Sequence, residues 1–376
     1  MDWQLIESDA ELVELLARGA DADVVVMDTE FMRRNTFFPQ VALVQLCFVS
    51  GAASGTAWLI DPLEIKDPEP LATLLTNPSV IKVFHSASED LEVFQQWLGA
   101  LPDPLFDSQR AAALVDLGFG LGYRALVDSI CDIDLPKGET RSDWLQRPLT
   151  QSQCEYAAQD VIWLVKVYEH LISLCHDNER FDWVLQDGRD AASSLASNSN
   201  EYYKRIKNAW KLDSRQLARL IAVCDWRERT ARLKDKPRSW IIDDKACLRL
   251  AQENPQDYAD LKARVEMPPP ALRRYGSSLL ELLEGQGEPP ESELPQRLPG
   301  PLDAAQRKQI KSLKQAVRTI AGELAMAPEV LLQARDYEAL LRESEGHVVS
   351  EPLHWQGWRR ERVIVPLRNL LAAGEL

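Results

Sequence analysis

The sequence has no uninterrupted apolar run long enough to cross a bilayer, and no basic region followed by an apolar stretch after Met1-Asp2-Trp3-Gln4. Neither a membrane span nor a secretory leader is expected. The one long uncharged window, Val41 to Ile60, is broken by Gln45, Ser50, Gly51, Ser54, Gly55 and Thr56 into two short runs around a turn, which fits a β-hairpin. Cysteine is sparse: Cys47, Cys131, Cys154, Cys175, Cys224 and Cys247 are widely spaced, with no C-x-x-C pair, as expected of reduced core thiols in a cytoplasmic protein. The five histidines, His85, His170, His176, His347 and His354, form no H-E-x-x-H or other metal spacing. Gly118, Gly120 and Gly122 are spaced G-x-G-x-G behind a helical Ala111–Leu117, which excludes a dinucleotide-binding loop.

Positive charge is what the first part of the chain lacks most. Residues 1–200 carry 13 Lys and Arg against 32 Asp and Glu, whereas residues 201–376 carry 30 against 26. The chain is −15 overall, so an acidic working region is joined to one suited to a polyanion. With 376 residues, 45% of them hydrophobic, it can bury two or three cores at roughly 100–200 residues per domain.

Short apolar runs at Asp23–Met27, Val41–Val49, Ala57–Ile60 and Val80–Phe84 read as strands, and Ala10–Ala17, Leu71–Leu75 and Leu91–Leu98 carry helical periodicity. This predicts an α/β region. From Thr150 onward strand signals are few and helices follow one another. Five prolines between Gly285 and Pro301 predict an extended linker. On either side lies a faint repeat: Leu212-Asp213 is followed by Pro237, Leu302-Asp303 by Pro328, and each segment contains Arg-Thr (Arg229-Thr230, Arg318-Thr319).

The informative residues are carboxylates in apolar settings. In Val24-Val25-Val26-Met27-Asp28-Thr29-Glu30 the period of two puts Asp28 and Glu30 on one side of a strand, unless the strand has ended and both are solvated. Thr150-x-x-Gln153 predicts a capped helix start, and Tyr156, Asp160, Trp163, Val167 and Leu171 then share an apolar stripe. Asp160 on that stripe must be protonated, paired or metal-bound; a core hydrogen bond to Tyr156 is the structural alternative. Ser86 and Glu89 fit another capping box, with Asp90 in the first turn, where acids also serve simply as dipole complements. Should Asp28, Glu30, Asp90 and Asp160 converge, each pair about 5 Å apart repels by roughly 3 kcal/mol. Two hard divalent cations, Mg²⁺ or Mn²⁺, would relieve this and suit phosphodiester hydrolysis.

Asp28-Thr29-Glu30-Phe31, His85 through Leu91 and Tyr156-Ala157-Ala158-Gln159-Asp160-Val161 resemble the three exonuclease motifs of the DEDD superfamily, tyrosine branch. Phe38-Pro39-Gln40 leading to Val44-Gln45-Leu46, and Lys137 through Ser142-Asp143-Trp144 to Arg147-Pro148-Leu149, resemble the ribonuclease D family more narrowly. The helical segments beyond residue 205 are similar to the helicase-and-RNase-D C-terminal (HRDC) domain. The resemblance implies an α/β RNase H-like exonuclease domain, its mixed sheet flanked by helices, at 1–205. An HRDC domain at 206–285, a linker at 286–301 and an HRDC-like domain at 302–376 would follow. It implies a metal-dependent 3′→5′ exoribonuclease releasing nucleoside 5′-monophosphates from structured RNAs, chiefly tRNA precursors with 3′ extensions; a monomer is the default expectation, on which the sequence itself is silent. Asp28, Glu30 and Asp160 would hold the first Mg²⁺ or Mn²⁺, with Asp28 bridging to the second. Asp90 would hold the second ion's water shell, and Tyr156 would orient the attacking water.

Between Tyr202 and Arg238 twelve Lys and Arg face four acids, with Tyr202, Tyr203, Trp210 and Trp226 interleaved. Lys204, Arg205, Lys207, Arg227, Arg229, Arg232, Lys234, Lys236 and Arg238 are the expected RNA-binding residues, and His85 is a further candidate near the second motif. A solvated helix face with core tryptophans is the alternative. A DNA-directed exonuclease and an inert nucleic-acid-binding scaffold are the rival functions, although the complete acid set argues against the latter.

Overall fold

The computed structural model describes residues 2–136, 138–139, 142–196, 201–287 and 289–374. Lys137 of the segment before Trp144 lies outside them. The chain forms two compact units: residues 1–32, 39–197 and 303–376 make the first, and residues 33–38 and 198–302 the second.

The first unit begins with β1 (Trp3–Ile6), α1 (Asp9–Arg18), β2 (Val24–Met32), β3 (Gln40–Phe48), β4 (Ala57–Ile60), α2 (Glu69–Thr76), β5 (Ile81–Phe84), α3 (Ser88–Trp97), β6 (Leu105–Asp107), α4 (Ser108–Leu114), α5 (Tyr123–Cys131), α6 (Gln151–Asp177) and α7 (Phe181–Ala196). The strands form one mixed sheet in the order β1-β4-β3-β2-β5-β6. β2 and β3 pair antiparallel, as do β3 and β4, while β2–β5, β5–β6 and β1–β4 are parallel. The expected hairpin is thus β3–β4. β1 and β6, with four and three residues, are too short to leave a periodic signal.

The sheet is covered on both faces, which explains why Val25, Val26 and Met27 form a continuous apolar run. Val25, Met27, Val44 and Leu46 pack with Leu12 and Leu15 of α1, Leu71 and Leu75 of α2 and Leu91 and Phe94 of α3. On the opposite face α6 crosses β2, β3 and β4. It begins where the sequence places it: Thr150 and Gln153 exchange side-chain and backbone hydrogen bonds in a complete capping box.

The second unit contains α8 (Ser214–Lys234), α9 (Arg238–Ile241), α10 (Asp244–Glu253), α11 (Tyr258–Arg264) and α12 (Pro269–Gln286). Leu217, Leu220, Cys224, Cys247, Leu250 and Leu279 lie in its core. Residues 33–38 belong here, where the amides of Phe37 and Phe38 donate to Asp235 Oδ1 at 2.9 and 3.0 Å. The proline-rich segment also lies along this unit: Leu298 packs against the core and Arg297 Nε donates to the Leu212 carbonyl at 3.1 Å.

The chain then returns to the first unit as α13 (Ala304–Glu323), α14 (Pro328–Leu331), α15 (Ala334–Ser344) and α16 (Val365–Ala373). The faint repeat has a structural basis. Asp213-x-x-Gln216 and Asp303-x-x-Gln306 both form capping boxes, and each opens a helix of nearly six turns followed by a one-turn helix and a third helix.

These last helices are fastened to the sheet region through Asp187 of α7. Its carboxylate receives Arg359 at 2.5 and 2.8 Å and Arg110 of α4 at 2.7 Å, with both Asp187 and Arg359 buried. The two arginines outweigh burial and hold the Asp187 carboxyl below the usual carboxylate range. Trp183 and Trp358 stack beside them with ring centroids 4.2 Å apart. Removing the acid strands two guanidiniums, so Asp187→Ala is expected to cost about 3–5 kcal/mol, read as a lower urea midpoint.

Candidate active site

β2 stays regular through Glu30, so Asp28 and Glu30 do share the α6 face; the register shifts only between Glu30 and Phe31. Asp160 approaches from α6, and one carboxylate oxygen from each of Asp28, Glu30 and Asp160 lies within 4.8 Å of the other two. The buried stripe of α6 runs through Ala157, Val161, Leu164, Tyr168 and Leu171, with Tyr156, Asp160 and Trp163 half-buried on its flank. This corrects the expected position of Asp160: it stands at the edge of the apolar face, not in its middle.

Asp90 occupies a related but different position. It is 6% exposed in the first turn of α3 and accepts a 2.5 Å hydrogen bond from the Thr29 hydroxyl. It lies outside the tight group of three yet adds to their repulsion. The expected Ser86–Glu89 capping box does not form. Ser86 has φ +60°, Ala87 caps α3 without a side-chain bond, and Asp107 takes the amides of Ser86 and Ala87, both at 3.0 Å.

The acids raise one another's proton affinity. Burial, reinforced by Asp160, holds the Asp28 carboxyl well above the usual range. Burial and then Asp28, Asp160 and Asp90 do the same to Glu30, and burial together with Asp28 raises Asp90 despite the Thr29 bond. Burial pushes Asp160 to about 8, partly offset by its hydrogen bond from Tyr156. That phenol is itself pushed far up by burial and the acids, and so stays protonated. A compact set of carboxylate oxygens with unrelieved repulsion and no nitrogen or sulfur donor suits a hard divalent cation.

The segment before α6 fixes Tyr156. Arg147 is paired with buried Asp61 and donates to the carbonyls of Ala42 at 2.7 Å and Trp144 at 2.9 Å. Trp144 is buried 6.0 Å from the Tyr156 ring, and a Cβ at Gly138 would overlap that ring. Tyr123 carries no signal in the sequence. Its hydroxyl donates to the Gln159 carbonyl at 2.9 Å, and its proton affinity is raised by burial and then by Asp160 and Asp28. Its ring lies 5.6 Å from His85. His85 Nδ1 meets Ser108 Oγ at 2.9 Å, burial lowers its pKa, and its buried Nε2 has no partner among the described residues.

A family model for a 3′-5′ exonuclease matches residues 3–175, and one for the HRDC domain matches residues 216–283. Over 371 residues the chain is 42% identical to ribonuclease D of Pseudomonas paraeruginosa, covering 98% of this chain and 97% of that one. The chain belongs to the ribonuclease D family. The crystal structure of Escherichia coli ribonuclease D, an exoribonuclease involved in structured RNA processing, matches with a TM-score of 0.91 at 32% identity over 99% of both chains. The catalytic core of RRP6 from Trypanosoma brucei shares the fold, with a TM-score of 0.56 at 22% identity over 76% of this chain and 80% of that one. Like other members of the ribonuclease D family, the chain is a 3′→5′ exoribonuclease.

Within the HRDC-containing unit of this ribonuclease D the basic residues divide into two groups. Lys204, Arg205, Lys207, Arg229 and Lys234 are exposed, Lys204 being paired with Glu201. Arg232 and Arg238 both grip Glu228 and lie 4.8 and 4.6 Å over the Phe37 ring. Lys236 donates to the Asn35 carbonyl at 3.2 Å. Arg227 corrects the expectation: it is 1% exposed, bonds Asp244 at 2.8 Å and stacks on Tyr202, so it belongs to the core. Trp226 packs against Tyr275 in that core. Trp240, outside the expected aromatic set, is 59% exposed near Lys236.

The raised Asp160 value fixes the sign of a pH effect. Between 3.8 and about 8 the folded protein holds a proton that the unfolded chain has lost. Without divalent cations its stability therefore falls as pH rises through that window. Thermal melts of chelator-treated protein should show a lower midpoint at pH 8 than at pH 5. Added Mn²⁺ should raise the midpoint more at pH 8, where the acids are ionised.

Proposed function

We propose that this ribonuclease D trims the 3′ ends of tRNA precursors and other structured RNAs in the cytoplasm, as a monomer using two divalent ions, Mg²⁺ or Mn²⁺. The observation that carries the reading is the carboxylate group of Asp28, Glu30 and Asp160 joined by the Tyr156 phenol. Among the described residues no helix is long and apolar enough to cross a membrane.

Asp28, Glu30 and Asp160 would hold the first ion, Asp28 would also serve the second, and Asp90 would order the second ion's water shell. When bound, such ions neutralise developing charge on the attacking and leaving oxygens and lower the pKa of water. Tyr156 donates a hydrogen bond to Asp160 and keeps its proton, which leaves its oxygen lone pairs free to accept from the attacking water and orient it. Because the phenol stays protonated it positions the water and does not act as the base. The water attacks the terminal phosphodiester and gives up a proton, the P–O3′ bond breaks with the 3′ oxygen of the shortened RNA taking up a proton, and a nucleoside 5′-monophosphate leaves. His85 is a candidate RNA contact near the second motif, one that requires its buried Nε2 to be uncovered when RNA binds.

Affinity for the RNA backbone comes from the basic surface of the HRDC segment, with Lys204, Arg205, Lys207, Arg229 and Lys234 as its exposed members and Lys236, Arg232 and Arg238 at its margin. We read 1–205 as the exonuclease domain, 206–285 as the HRDC domain, 286–301 as the linker and 302–376 as a second HRDC-like domain. The repeated cap–helix–turn–helix order supports the last assignment.

With 3′-labelled RNA, wild type should release labelled mononucleotide only when divalent cation is present, and Asp28→Asn should reduce the rate at least about 100-fold, roughly 2.7 kcal/mol of transition-state stabilisation. Equal digestion of a matched DNA oligonucleotide would overturn the RNA assignment. Reversing Arg205, Arg229 and Lys234 to Glu should weaken RNA binding and flatten the plot of log affinity against log salt by about 0.7 for each phosphate of a single-stranded 3′ tail no longer neutralised. An unchanged slope removes this surface from the binding site.

A further inference from the structure

Gln45 lies directly opposite Asp28 in the antiparallel β2–β3 register, so the two side chains leave the sheet on the same face, with Cβ atoms about 5 Å apart. It is fully buried, and neither Oε1 nor Nε2 has a hydrogen-bond partner among the described residues. Its neighbours on β3 and β4 are apolar. Leu59 is its partner on β4, Leu43 precedes it on the same face, and Cys47 follows it, with a thiol that burial pushes up to about 11. Leucine or methionine would fill such a place without leaving two polar groups unbonded, and an unbonded buried amide is destabilising. Carboxylates that hold metal ions are commonly held in turn by a neighbouring hydrogen-bond donor.

We infer that Gln45 is a positioning residue for Asp28, its Nε2 donating to the Asp28 carboxylate in the cation-loaded enzyme. The inference rests on Asp28 being a cation ligand. It goes further by assigning the amide across the sheet to the same site and by predicting that cation-free stability is given up at Gln45 in return for cation affinity.

The test compares full-length wild type with Gln45→Leu, Gln45→Met and Asp28→Asn. Mn²⁺ affinity is measured by calorimetric titration without RNA, and the thermal midpoint is measured in metal-free buffer. Both Gln45 variants should bind Mn²⁺ about 10- to 100-fold more weakly, with a metal-free midpoint equal to or above that of wild type. Unchanged Mn²⁺ affinity in the Gln45 variants, where Asp28→Asn loses it, overturns the inference while leaving Asp28 a ligand. Undiminished affinity in Asp28→Asn overturns the ligand reading itself. Weaker binding accompanied by a lowered metal-free midpoint, or failure of both variants to fold, makes Gln45 a structural amide and equally overturns the positioning role.

Discussion

Mutual repulsion among carboxylates is the constraint around which the first unit is built. Asp28 and Glu30 stand on the sheet's central antiparallel pair, and Asp160 is brought down on them by a 27-residue helix. None of the three can move away without unpacking β2 or α6. The rigidity of these elements replaces the attraction that would ordinarily hold a cluster together, and a hard cation gains affinity from repulsion that the fold has already imposed.

Much of the rest of that unit serves the placement of α6. The capping box at Thr150 sets its first residue, Arg147 ties the preceding segment to Asp61 and Ala42, and buried Trp144 and Gly138 set the Tyr156 ring. The ring in turn directs its hydroxyl at Asp160. A run that looks in sequence like a loop motif is therefore an orientation device for one phenol.

The sequence was most informative where periodicity and chemistry disagreed. Acids in an apolar strand and on an apolar helix are costly unless they serve a purpose, which made Asp28, Glu30 and Asp160 visible. The central strands, β3–β4 and the start of α6 were legible for the same local reasons. Tyr123 and Gln45 were not, because each matters through what lies opposite it in space. The failed capping box at Ser86 has a similar origin: Asp107, 21 residues later, captured the Ser86 amide that the Glu89 side chain would have taken. Arg227 looked like one more cation in a basic helix, and only the packing of Asp244 and Tyr202 around it reveals a core residue.

The clasp at Asp187 joins residues 172 positions apart, and Arg359 is its more deeply buried arm. During synthesis the sheet and its helices emerge well before that arm, leaving Asp187 with Arg110 as its sole partner in the clasp. Until the last helices dock, Asp187 therefore lacks its second guanidinium, and the clasp is complete only once Arg359 is in place.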